Sequence, residues 1–281
     1  MSSAEPRRRY PGSFRRLYGG ELRLVLRRRR NLALLVVLGA VPVFIGTAVK
    51  ISPPGGGEGP QFLGQISENG LFLIYTALTV SLPFFLPLVI GVVSGDSIAG
   101  EANIGTLRYL LTVPVTRGRV LAVKTLAVAT FTTLAVLTVA LVGLLTGAIL
   151  FGLRDPTLLS GDTVGLADGL GRTLGVVAFV TVALFGLAAG GVFVSTLTEN
   201  PIGAMATTIG LAVFSVLLDA VPQLHAIHPW LLTHNWYGFG ELLRSNIDVG
   251  LLLRWSALHA AYAAVFLSLA WARLRTKDIT S

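Results

Sequence analysis

The chain has 281 residues, 53% of them hydrophobic and only 13% charged, with a formal net charge of +8 and a mean hydropathy of +0.74. Soluble domains carry about 25% charged residues, so this composition excludes an ordinary soluble domain and fits a polytopic helical membrane protein. The lack of cysteine excludes disulfides, thiolate nucleophiles and Cys-ligated metals, and basic residues without interleaved aromatics argue for membrane orientation over a nucleic-acid partner.

In chain order, residues 1–12 read as a disordered basic tail, and no cleavable leader pattern is evident: the first thirty residues hold ten arginines and no apolar core. From Ser13 to Arg30 a helical wheel gathers Phe14, Leu17, Tyr18, Leu22 and Val25 opposite Arg16, Arg23, Arg27 and Arg30. That pattern predicts an interfacial amphipathic helix on anionic lipid. Gly19-Gly20 and Glu21, which lands inside the apolar arc, fit it poorly; an unstructured polybasic stretch is the alternative.

Six apolar segments follow: Asn31–Val49, Leu71–Ser94, Val120–Gly152, Thr173–Thr196, Ile202–Val221 and Leu251–Ala272. Each meets the roughly 20 residues needed to cross about 30 Å of hydrocarbon, and the third is long enough to tilt strongly. Pro42, Pro83 and Pro87 are expected to kink the first two, while Gly143-x-x-x-Gly147 and Gly186-x-x-x-Gly190 permit close helix contacts. The layout is a basic tail and interfacial helix over 1–30, a six-helix transmembrane domain over 31–272 and a tail over 273–281.

Six crossings place both ends on one side. The tail, the 95–124 stretch and the C-terminus hold seventeen basic residues, whereas the other side has Lys50, Arg154, Arg172, Arg244 and Arg254. The positive-inside rule therefore makes both termini and the 95–124 stretch cytosolic. Of the outer connections, 222–250 is the unusual one. Its Trp230, Trp236 and Tyr237, flanked by Pro229 and Gly238, predict an aromatic belt and a broken or re-entrant segment before the last helix. Thr198-Glu199-Asn200-Pro201 reads as a tight turn, with Pro201 placed to begin the fifth helix.

Between the second and third crossings, a helix read from Ile98 to Thr112 aligns Glu101, Gly105, Arg108 and Thr112 on one face at steps of four, three and four. Pro114 stops it, and Arg117, Arg119 and Lys124 lead into the next apolar run. This is a charged surface helix that a soluble partner could grip; the plainer reading is a basic loop that fixes topology.

Catalytic patterns are missing. None of Lys50, Lys124 and Lys277, the three lysines, closes a Gly-x-x-x-x-Gly-Lys-Ser/Thr loop. Neither His-Glu-x-x-His nor a Gly-x-Ser-x-Gly elbow occurs. His225, His228 and His234 invite a metal or pH role, but without a neighbouring carboxylate pattern they read as polar loop residues beside the aromatic belt. Lys124 and Asp219, near opposite ends of their helices, are candidates for a transport path or for snorkelling and pairing at an interface. Thr130, Thr132, Thr133 and Thr138 give the third helix a polar edge that back-bonding explains as well as a pore does.

The 95–124 stretch resembles the segment joining the second and third helices in permease subunits of ABC-2 type ABC transporters. The matching residues are Asp96, Glu101, Gly105-Thr106, Leu107 with Leu110-Leu111, Pro114, Arg117 and the Lys124 that opens the third helix. The basic N-terminal helix, six crossings and broken aromatic segment extend the resemblance over most of the chain. It implies an all-α polytopic membrane protein with no ATPase of its own, ATP and Mg being bound by separate nucleotide-binding subunits. A second permease subunit, identical or homologous, would complete the path. Asp96, Glu101, Gly105, Thr106, Arg108, Pro114 and Arg117 would form the 96–117 coupling segment, with the coupling helix around Glu101, and the membrane would be a prokaryotic cytoplasmic one. Export is the usual direction in the family, and the lack of a large outer domain and of a visible charged central cavity favours a hydrophobic or amphipathic substrate. The rival readings are a stand-alone secondary transporter or channel, and a non-transporting anchor or sensor subunit.

Overall fold

The structure, a computed structural model, describes residues 13–52, 66, 69–104 and 116–276. Its helices are α1 (Ser13–Arg27), α2 (Arg29–Ile51), α3 (Phe72–Ser81), α4 (Phe85–Asn103), α5 (Arg117–Leu150), α6 (Leu166–Leu197), α7 (Pro201–Asp219) and α8 (Val249–Thr276). Three 3-10 turns, Pro222–Leu224, His228–Trp230 and His234–Leu243, fill the connection between α7 and α8. Among the described residues there is no strand, only an isolated bridge between Thr157 and Thr163. Six helices, α2 and α4 to α8, are long and apolar enough to cross a membrane. The chain is an all-α polytopic membrane protein.

Proline chemistry explains where the second crossing breaks. Pro83 and Pro87 have no N–H to give to the carbonyls four residues earlier, and α3 stops at Ser81 before α4 starts at Phe85. Pro42, by contrast, lies within an unbroken α2. The expected new helix at Ile98 is absent: Ile98 to Asn103 are the last turns of α4, because no proline follows Pro87 in its first turn to interrupt it. The onset of charge at Asp96 is not a helix end. Pro201 opens α7, and the Asn200 side chain caps it by accepting from the N–H groups of Ile202 and Gly203.

At the centre lies α6, whose small residues from Gly186 to Gly191 let its neighbours close in. Gly186 faces Leu232 and Tyr262, and Gly190 faces Phe266. On another side, α4 lies against α6 and α7. The Gly143 edge of α5 faces the backbone of Ile74 in α3. Large apolar side chains such as Val36, Phe44, Leu141, Ile149 and Phe214 remain exposed, which suits a lipid solvent.

A buried hydroxyl also ties α6 to α4. Ser195 Oγ accepts from the N–H groups of Ile98 (2.9 Å) and Ala99 (2.8 Å) and donates to the Gly95 carbonyl (2.6 Å). It is fully buried, so Ser195→Ala strands polar atoms on α4 and is expected to destabilise the protein by about 1–3 kcal/mol. Thermal unfolding in detergent measures this; an unchanged midpoint would mean that the α4 backbone repairs itself.

Candidate functional site

The helices alternate between two ends. One carries α1, the close of α4, the start of α5 and the close of α8. The other carries Lys50, which donates to the Leu150 carbonyl, and the 3-10 turns.

At the arginine-rich end, α1 does not simply rest on a membrane surface. It lies along α5, with the Tyr18 hydroxyl bonded to Thr130 at 2.7 Å. Glu21, the misfit in the apolar arc, faces inward and meets Lys124 Nζ at 3.1 Å. From α4, Glu101 meets the same ammonium at 2.6 Å. The Lys124 side chain is 2% exposed, so it is a buried bridge between two carboxylates, not a snorkelling residue. Chain direction turns sharply at Arg28, and buried Asn31 closes the corner by donating to the Val25 carbonyl at 2.8 Å.

That corner brings two more cations inward. Arg28 pairs with Asp96 of α4, and Arg30 reaches the same carboxylate oxygen at 2.7 Å. Three carboxylates (Glu21, Asp96, Glu101) and three cations (Arg28, Arg30, Lys124) thus balance around a cavity of about 30 Å³ bordered by Val93, Ser97 and Val128, room for water. Balance matters most at Lys124, 2% exposed, since an unpaired buried charge costs several kcal/mol. The cluster joins four helices by charge: Glu21 of α1, Arg30 of α2, Asp96 and Glu101 of α4, and Lys124 of α5.

The residues expected to act in coupling do not all meet here. Asp96 and Glu101 do, and they are joined there by Lys124, the path or interface candidate. Arg117 lies at the start of α5 and donates to the last carbonyls of α8, Leu274 (2.7 Å) and Arg275 (3.0 Å), a favourable cation at a helix C-terminus. Gly105, Thr106, Arg108 and Pro114 lie outside the described residues. The parts played by Glu21, Arg28 and Arg30 were not anticipated. The available signal was an acid on the apolar face of an arginine-rich helix, which calls for a buried cation.

Asp219 is at the opposite end, closing α7. Its Oδ1 is 2.6 Å from His234 Nδ1 and 3.8 Å from His228 Nδ1. The carboxylate that the sequence did not pair with these histidines is therefore supplied by a different element. His225 is not part of this group. His234 also borders a cavity of about 490 Å³ walled by Trp230, Leu251, Trp255 and Leu258.

Comparison with known protein families finds a match to the model described as "ABC-2 family transporter protein", over residues 16–235. The matched stretch runs from α1 through α7 and contains the whole charge cluster. No curated protein matches the chain.

Proposed function

The chain belongs to the ABC-2 transporter family, and on that premise we propose that it is the membrane subunit of an ATP-driven exporter, pairing with a second permease subunit to form the substrate path. ATP and Mg are bound on partner ATPase subunits. Both termini are cytosolic, as the arginine balance favours, in a prokaryotic cytoplasmic membrane. The coupling segment is 96–117, and a partner ATPase grips the connection between α4 and α5.

One observation carries this reading: Lys124 links Glu101, at the end of α4, to Glu21 on α1. A push on the connection after α4 is then shared among α1, α4 and α5, as a rigid-body transition requires. The charge network converts a local push into a concerted one.

The test is ATP hydrolysis by the complex reconstituted with its ATPase subunits. Glu101→Gln keeps the shape of the side chain but weakens the bridge. The variant is expected to co-purify with the ATPase while losing most of the permease-dependent stimulation of hydrolysis. Full stimulation by a well-folded variant would remove Glu101 from the coupling path, and failure of any ATPase to co-purify with the native chain would overturn the exporter reading.

A further inference from the structure

We propose that Asp219, His228 and His234 form a binding site for one divalent transition-metal ion of the zinc class, which fastens the end of α7 to the 3-10 segment. The argument starts from His228. Its Nε2 lies 3.1 Å from the Val221 carbonyl oxygen, and a carbonyl can only accept, so Nε2 carries the ring proton. In the neutral ring Nδ1 then presents a bare lone pair. Nδ1 lies 3.8 Å from Asp219 Oδ1, too far for a hydrogen bond and acceptor against acceptor. A cation between them resolves the conflict.

The distances suit a metal. Zinc binds imidazole nitrogen and carboxylate oxygen at about 2.0–2.2 Å, which separates two ligand atoms of a tetrahedral site by roughly 3.3 Å. The two observed separations from Asp219, 2.6 and 3.8 Å, bracket that value, and the three ligand atoms all lie within 4.8 Å of one another. In the metal-free form His234 Nδ1–H donates to Asp219; an entering ion displaces that proton, as ligand deprotonation on metal binding requires. The Val221 carbonyl already supplies the outer hydrogen bond that orients a ligating histidine. Two imidazoles and one carboxylate select zinc-like ions over magnesium or calcium, which favour all-oxygen shells. The side chains are 17–36% exposed, so an ion enters from solvent and water fills the remaining position.

Such an ion would bridge three elements. Asp219 ends α7, His228 opens one 3-10 turn and His234 opens the longest, which packs on α6 and α8. Fixing the His234 ring also fixes one wall of the neighbouring cavity.

The experiment uses the full chain without a histidine tag, stripped with chelator in detergent and titrated with Co²⁺ as a spectroscopic probe. The expected result is one Co²⁺ per chain with visible ligand-field bands, displaced by Zn²⁺. His228→Ala, His234→Ala and Asp219→Asn are each expected to weaken binding roughly tenfold or more, with His225→Ala unchanged. Zn²⁺ should also raise the thermal midpoint of the native chain and not that of His228→Gln, a milder variant whose monodispersity is checked first. Absence of the Co²⁺ bands, equal affinity in the His228→Ala/His234→Ala pair, or equal loss in His225→Ala would each overturn the site. A contact that responds to pH but to no metal would overturn it as well, leaving a proton-held pair.

Discussion

Lys124→Met is expected to cost about 3–5 kcal/mol of stability, the usual effect of removing one partner from a buried ion pair. The methionine fills the volume, so packing is nearly kept and the loss is electrostatic. Without the ammonium, Glu21 and Glu101, which it holds at 3.1 and 2.6 Å, are left without the cation between them. The check is built from the same residues. Adding Glu21→Gln and Glu101→Gln to Lys124→Met removes both stranded carboxylates and should recover most of the lost stability, since replacing a whole buried ionic group is often close to neutral. Such recovery would be strongly non-additive, as expected for residues that share one partner. Denaturation in mild detergent, followed by chromatography, reads both numbers. A Lys124→Met chain as stable as the parent would show that the bridge does not hold α1 to the bundle. The recovered triple variant also serves function: it is folded but carries no charge link among α1, α4 and α5, so any ATPase stimulation it retains must pass another way.

The crossings were legible because an apolar run of about 20 residues matches the thickness of the hydrocarbon core. The break at Pro83 was readable from its missing N–H, whereas Pro42, read in the same way, sits inside an unbroken α2. The end of α4 was not readable. Charge begins at Asp96, but the helix continues to Asn103, because hydrophobicity marks where a membrane ends, while hydrogen bonding and breakers mark where a helix ends. Glu21 and Lys124 were each visible as misfits, an acid on an apolar arc and a lysine inside an apolar run. Only packing shows that two misfits of opposite sign, 103 positions apart, are one feature. For His228, His234 and Asp219 the obstacle is different. The carboxylate is in reach only because irregular 3-10 turns fold the chain back, and no periodicity encodes such a path.

Gly95→Val is expected to destabilise the bundle at the top of the roughly 1–3 kcal/mol range for overpacking, or above it. A Cβ at Gly95 would meet the backbone N and Cα of Met205 at 2.7 and 2.8 Å and the Ala204 carbonyl carbon at 2.9 Å. Side chains can turn aside, but here the obstruction is the main chain of α7, so one helix has to move bodily. At Gly210, where a Cβ would meet nothing within 4 Å, the same substitution should change the thermal midpoint little, and it serves as the control for a valine in a crossing helix. A further consequence separates packing from charge. Gly95 is beside Asp96, and its carbonyl receives the Ser195 hydroxyl, so pushing α4 off α7 also shifts the carboxylate held by Arg28 and Arg30. Gly95→Val should therefore lower both stability and ATPase stimulation, whereas Glu101→Gln lowers stimulation more than stability. If Gly95→Val left the midpoint unchanged, the close approach of α4 and α7 would not be a fixed part of the fold. The charge cluster would then be positioned by its own pairs alone.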